Sequence, residues 1–316
     1  MPPSGEEAAL LTQRETLETA LARLRFFLEA EDREWAVRYP DSVAATLELV
    51  PLGVGDMAAE LLHDAGEITV LSSAFLGRRE AVSACLGLPV DAVRGVTAPS
   101  PFPVEQRPIV YRPVGRLSRA TLPALEPALF DEVAGILAAH PAEKGLIHAA
   151  SYAAANRLRH HLAEHAPTHF ARLIWIEAAS AKARALEQHR TTAAPTVLLS
   201  PSLREGVDLP DDFLRFQVIT KMPYPDLGDP WTAARRARDP RWYALETAKA
   251  LVQAYGRSCR HAGDTGVTYV LDAEFGRFVL THRVLLPPWF LDAAHPALRA
   301  HATALGGHAG GTADFD

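Results

Sequence analysis

Residues 146–176 read LIHAASYAAANRLRHHLAEHAPTHFARLIWI, and two hydrophobic periods within them set the fold. The opening LIHA and the closing LIWI are short apolar runs of the kind that form buried strands. The thirteen residues 152–164 between them repeat apolar side chains at helical spacing. The spacing therefore predicts strand 146–149, helix 152–164 and strand 173–176. On either side the same alternation gives helix 122–139, helix 181–189, strands 196–199 and 216–220, helix 242–260 and strand 267–271. Strands alternating with helices imply an α/β protein with a mainly parallel sheet covered on both faces. In such open sheets a ligand sits outside the carboxyl ends of the strands, so the residues just after each strand are the ones to inspect.

The earlier part of the chain is less regular. Thr12 and Glu15 have the form of a capping box, and Leu17, Leu21, Leu24 and Leu28 follow at helical spacing. A turn region at 51–55 leads through a short helical pattern to a β-branched run at 68–71 that reads as a buried strand. Five prolines, at 99, 101, 103, 108 and 113, disfavour helix and mark 99–113 as an extended linker. The expected organisation is a first segment 1–98, a main domain 99–295 and a flexible tail 296–316, glycine-rich from Gly306.

Composition bounds the function without naming it. Hydrophobic residues make up 48% and charged residues 22% of the 316-residue chain, which excludes a disordered or fibrous protein. The net charge of -6 argues against coating nucleic acid by bulk electrostatics. A local basic stretch does occur: Lys221, Arg235, Arg236, Arg238, Arg241, Lys249, Arg257 and Arg260 outnumber Asp226, Asp229, Asp239 and Glu246 between residues 221 and 260. Neither a signal peptide nor a membrane-length apolar run is read, and Cys85 and Cys259 are too few for a disulfide framework, so a cytoplasmic protein is expected. His160, His161, His165 and His169 cluster, but no cysteine or carboxylate pattern completes a zinc site, and no metal is assigned.

The sharpest chemical signal is QAYGRSCR at 253–260. On a continuous helix Gln253, Arg257 and Arg260 would fall within roughly 60° of one face. From spacing alone two readings stand: a solvated face, or a pair of guanidinium forks suited to phosphate oxygens. A second stretch, SPSLREGVDLP at 200–210, follows a predicted strand and puts Glu205, Gly206 and Asp208 on one loop. Taken singly, that loop is a turn.

Together, and in order, these stretches resemble the last and fifth motifs of superfamily 2 helicases of the XPD/DinG family. KMPYPDLGDP at 221–230 resembles a proline-rich stretch of the same proteins. GLIHAASY at 145–152 is similar to their fourth motif, and SPFPVEQR at 100–107 to the opening of their second motor lobe. SSA at 72–74 looks like the third motif, although Phe75 supplies no hydroxyl where the family has one.

The resemblance implies the C-terminal, RecA-like half of an ATP-dependent DNA helicase, preceded by a remnant of the end of lobe 1. It implies that Arg257, Arg260 and Gln253 face the nucleotide. Gly256, Glu205, Gly206, Asp208, Ser72 and Ser73 would couple nucleotide state to movement, and Ser151, Tyr152 and Ser200 would touch single-stranded DNA. ATP and Mg2+ are then shared with a polypeptide carrying the phosphate loop and acidic box. No Gly-Lys pair occurs in this sequence, and two cysteines cannot hold an iron-sulfur cluster. The runner-up expectation is a non-catalytic nucleic-acid-binding or adaptor protein that keeps the fold.

Overall fold

Gly145–His148, Val197–Ser200 and Phe216–Ile219 bury every one of their residues, as strands covered on both faces must. They lie in a computed structural model that describes residues 5–29, 34–38, 48–73, 75–203, 208–257 and 259–304. In chain order the early elements are α1 (Gly5–Glu29), β1 (Trp35–Arg38), β2 (Glu48–Pro51), α2 (Gly55–Ala65) and α3 (Arg79–Leu86). Next come β3 (Ile109–Gly115), α4 (Leu122–Ala139), β4 (Gly145–His148), α5 (Tyr152–His165), α6 (Pro167–Phe170) and β5 (Leu173–Trp175). The series closes with α7 (Lys182–Thr191), β6 (Val197–Ser200), β7 (Phe216–Ile219), α8 (Pro230–Arg238), α9 (Pro240–Tyr255), β8 (Val267–Asp272), α10 (Glu274–Thr281) and α11 (Pro288–Ala304).

The chain divides into two interleaved units. One comprises residues 1–69, 83–93 and 226–240; the other comprises 70–82, 94–225 and 241–316. A single cut at residue 98 is therefore not how the chain partitions, since 70–82 belongs with the sheet-bearing unit and 226–240 with the smaller one.

In the larger unit six parallel strands run in the order β3-β8-β7-β4-β6-β5. Alternate side chains serve opposite faces. Ile219 and Val270 join a core with Leu251, Phe275 and Phe290 from α9, α10 and α11, while Val218 and Leu271 join Val133, Ile136 and Leu158 from α4 and α5. A third cluster packs Ala185 of α7 on Leu146, Ile174 and Leu198. Gly145 is needed where it stands, because a Cβ there would come within 2.3 Å of the Phe216 ring.

Several sequence expectations change. The stretch 99–113 is not all linker: residues 109–115 form edge strand β3, where Pro113 is tolerated and the register shifts between Tyr111 and Gly115. Residues 68–71 form no strand, and Ile68 and Val70 are 86% and 82% exposed; a short β-branched run needs a neighbouring strand to pair with, and no described strand pairs with it. Thr12 is not a cap, because α1 begins seven residues earlier, and the Thr12 carbonyl accepts from Thr16 Oγ1 inside the helix. The tail does not begin at 296, since α11 continues to Ala304 with Ala297 and Leu298 buried; residues 305–316 lie outside the described residues.

In the smaller unit β1 and β2 pair antiparallel, with Trp35 opposite Pro51. Trp231 of α8 donates from Nε1 to the Pro51 carbonyl at 2.9 Å, and Asp229 caps α8 by accepting the Thr232 amide at 3.0 Å. Asp229 also pairs with Arg38, whose guanidinium lies 5.7 Å from the Trp231 ring centroid. Gly87, at a φ of 63°, lets its backbone pass so close to Gly55 that a Cβ would sit 2.2 Å from the Gly55 carbonyl oxygen.

Candidate functional site

Helix α9 ends at Tyr255, not at residue 260. Gly256 still donates to the Val252 carbonyl at 2.9 Å, and Arg257 donates to Ala254 at 3.3 Å, which tightens the chain out of the helix. The terminal carbonyl of Tyr255 accepts from Gln217 Nε2 of β7 at 3.0 Å. This satisfies an acceptor that a helix C-terminus otherwise leaves open. Of the three expected residues Gln253 alone lies on the helix; Arg257 and Arg260 leave from the turn beyond it, so no common helical face presents them. The apolar face does hold along the helix, with Leu245, Ala248, Val252 and Tyr255 buried, while Cys259, also buried, lies beyond the helix end.

Beyond the turn a charged network organises the loop. The Arg260 amide donates to Asp264 Oδ2 at 3.0 Å, and its Nε lies 3.1 Å from Asp208 Oδ1. The Asp208 carbonyl accepts from Arg190 Nη2 at 2.8 Å. Arg215 donates to Asp264 Oδ1 at 3.1 Å and to Asp212 Oδ1 at 2.9 Å, and His261 Nε2 is 2.8 Å from Asp211 Oδ1. Asp264 is 1% exposed; a buried carboxylate must be paired, and this one also accepts the Thr265 amide at 2.8 Å. Donor atoms of Asp211, His261 and Asp264 lie within 4.8 Å of one another. The Asp264 carboxylate is already taken up by Arg215 and two amides, so this set is an ion-pair network and not an open donor set.

The network occupies the amino ends of the strands. Arg215 immediately precedes β7, and Asp264 and Thr265 come just before β8. The arginine motif, between α9 and β8, therefore lies at the amino edge, because α9 runs back against the strand direction and delivers its end there.

The carboxyl edge holds other residues. Ser151 caps α5 by accepting the Ala154 amide at 3.1 Å and is exposed, and Tyr152 beside it is 36% exposed. Ser200 differs from expectation. It is wholly buried and its Oγ bonds Ser202 Oγ and the Ser202 amide, so its side chain offers no surface to a strand. Asp272 ties three strand ends together, accepting the Leu117 and Glu274 amides on Oδ1 at 3.2 and 3.0 Å and the Met222 amide on Oδ2 at 3.0 Å. Burial pushes its pKa up against these bonds.

Ser72 and Ser73 are exposed in an irregular segment of the larger unit. The Phe75 amide lies 3.3 Å from Ser73 Oγ, and the Phe75 ring packs on the core that contains Ala248, Leu251 and Val252 of α9. Glu205 and Gly206 lie outside the described residues. Gln217, Arg215 and Asp264 were not singled out from the sequence. Only Gln217 left a signal: an amide inside the buried run FQVI must find partners, and it bonds Thr268 Oγ1, the Tyr255 carbonyl and His148 Nε2.

Residues 134–289 match the helicase C-terminal domain family. The ATP-dependent helicase DinG of Mycobacterium tuberculosis is 29% identical over 299 residues, covering 87% of this chain and 42% of the relative. Two solved structures share the fold: one described as XPD_APO (TM-score 0.55, 18% identity, 89% of this chain, 61% of that one) and one as XPD_Helicase (0.56, 16%, 90% and 55%). The fold is therefore RecA-like, and the domain it builds is a helicase C-terminal domain. Within that class the chain carries the C-terminal half of an XPD/DinG-like helicase. It spans 42% of the length of the curated DinG relatives it matches.

Proposed function

We propose that this chain is the arginine-bearing motor lobe of an ATP-dependent DNA helicase, acting against a lobe on another polypeptide or region that carries the phosphate loop and acidic box. The observation that carries this reading is the 3.1 Å contact between Arg260 and Asp208. It joins a residue that the resemblance sets against the nucleotide to one that it gives the task of coupling nucleotide state to movement.

The residues present fit one side of a nucleotide. Arg257 and Arg260 leave the turn at Gly256, and the Asp208 carboxylate lies 3.1 Å from the partly exposed Arg260 side chain. Planar guanidiniums held this way suit phosphate oxygens. Magnesium has no such fit, because the nearest carboxylate set is taken up by Arg215 and backbone amides. When bound, ATP supplies the phosphoryl group whose developing charge such arginines stabilise. Gln253, on the last turn of α9, stands behind them. At the carboxyl edge Tyr152 offers an aromatic face on which a base of single-stranded DNA stacks, and Ser151 marks the α5 N-terminus, whose amides attract phosphate. Nucleotide and strand are thus served by opposite edges of one sheet.

The test compares single-strand-stimulated ATP hydrolysis by this chain alone with hydrolysis after adding a polypeptide that supplies the phosphate loop. Hydrolysis in the mixture only is the expected result. Hydrolysis by the chain alone contradicts it. A second reading, a non-catalytic binding or adaptor protein, is favoured by Phe75, which packs into the α9 core where the family carries a hydroxyl. Under that reading the mixture is inactive and single-strand binding is indifferent to Arg257→Ala.

A further inference from the structure

Helix α1 is 25 residues long, and every described side chain on it apart from Phe27 is exposed. Phe27 meets the Trp35 ring at 5.2 Å. Its leucines are not scattered. Leu10, Leu17 and Leu24 recur every seven residues, as do Leu21 and Leu28, and the two series interleave at spacings of three and four. That is the a and d pattern of a coiled-coil seam, with Leu10, Leu17 and Leu24 at d, Leu21 and Leu28 at a, and Arg14 at the remaining a position. The five leucines are between 49% and 69% exposed. A helix that owes so little to tertiary packing is marginal in water, and a seam of this kind is covered by another helix.

We propose that α1 pairs with α1 of a second copy of this chain as an antiparallel coiled coil centred between residues 22 and 23. Charge and sequence select this partner and register. In that alignment Leu17, Leu21, Leu24 and Leu28 of one copy face Leu28, Leu24, Leu21 and Leu17 of the other, giving four layers of leucine alone. Glu18 and Arg25, both at flanking e positions, then face Arg25 and Glu18 of the second copy across the seam. The small Ala20 falls beside Phe27 of the second copy.

Arg14, which bonds Glu18 on its own helix at 3.0 Å, lies beyond the shared overlap and stays in water. Sliding the helices by one heptad sets Glu18 against Glu18 and buries Arg14 opposite leucine. A parallel pair sets Gln13 against Glu18 and Ala20 against Arg25, with no charge pair at all. Only the first arrangement satisfies both the apolar and the charged positions.

The test is sedimentation equilibrium of the full chain across a concentration series, with three variants at positions that are exposed in the monomer. The expected mass rises with concentration from 34.3 kDa toward twice that value. Leu21→Asp should weaken dimerisation at least ~tenfold by placing a charge in the seam. Glu18→Arg should weaken it several-fold by setting two arginines together, and Glu18→Arg combined with Arg25→Glu should return it to about the parental strength. A chain that stays monomeric at every concentration overturns the proposal. So does a dimer indifferent to Leu21→Asp, or one in which the double reversal fails to restore what the single reversal removed, since that excludes the antiparallel register.

Discussion

His189 illustrates how single residues set conditions for the fold. It is fully buried, with Nε2 2.8 Å from the Phe213 carbonyl and Nδ1 2.8 Å from Thr196 Oγ1. Burial, reinforced by Lys144 and Arg190, lowers its pKa to about 4. The unfolded histidine titrates near ~6.5, so between the two values the unfolded chain binds a proton that the folded chain refuses, and stability falls as pH drops through that window. The loss should reach about 3 kcal/mol near pH 4. Urea midpoints from pH 7 to 4.5 should show a steeper decline for the parent than for His189→Gln. Asp272 acts on the same scale. Removing its carboxylate in Asp272→Ala strands the Leu117, Met222 and Glu274 amides, the first two in buried bonds, and a loss of about 3 kcal/mol is expected from the thermal midpoint.

Among the elements, α5 begins at the carboxyl edge of the sheet and α9 ends at its amino edge. Tyr152→Ala should weaken single-stranded DNA binding about tenfold, the worth of one lost base stack, while leaving stability unchanged at this exposed position; fluorescence anisotropy with a short oligonucleotide measures it. The sheet's elements were legible in the sequence because their signals are local: α4 spans 122–139 as the periodicity predicts, and the strands of the buried runs fall within a residue or so of expectation.

Edge strand β3 was hidden because its prolines argue for a linker, and only its pairing with β8 shows that an edge tolerates them. The arginine motif was misplaced for a related reason. Helical spacing continues through Gly256, and the helix stops there because Gln217 and the Asp264 network hold the chain beyond it, contacts made with residues far away in sequence. The burial of Ser200 and the role of Asp264 likewise depend on long-range contacts that no local pattern carries.

For the whole molecule, one parallel sheet carries arginines at its amino edge and an aromatic, helix-capping pair at its carboxyl edge. No helix among the described residues is long and apolar enough to cross a membrane. We propose that Arg257 and Arg260 face a nucleotide held by a complementary lobe. The most direct test is steady-state ATP hydrolysis by the reconstituted motor, with single-stranded DNA present, for the parent, Arg257→Ala and Arg260→Ala. If the arginines stabilise charge on the transferring phosphoryl group, kcat should fall about a thousandfold with a much smaller change in KM. An unchanged kcat in both variants, with the chain still folded and bound to its partner lobe, would contradict the claim.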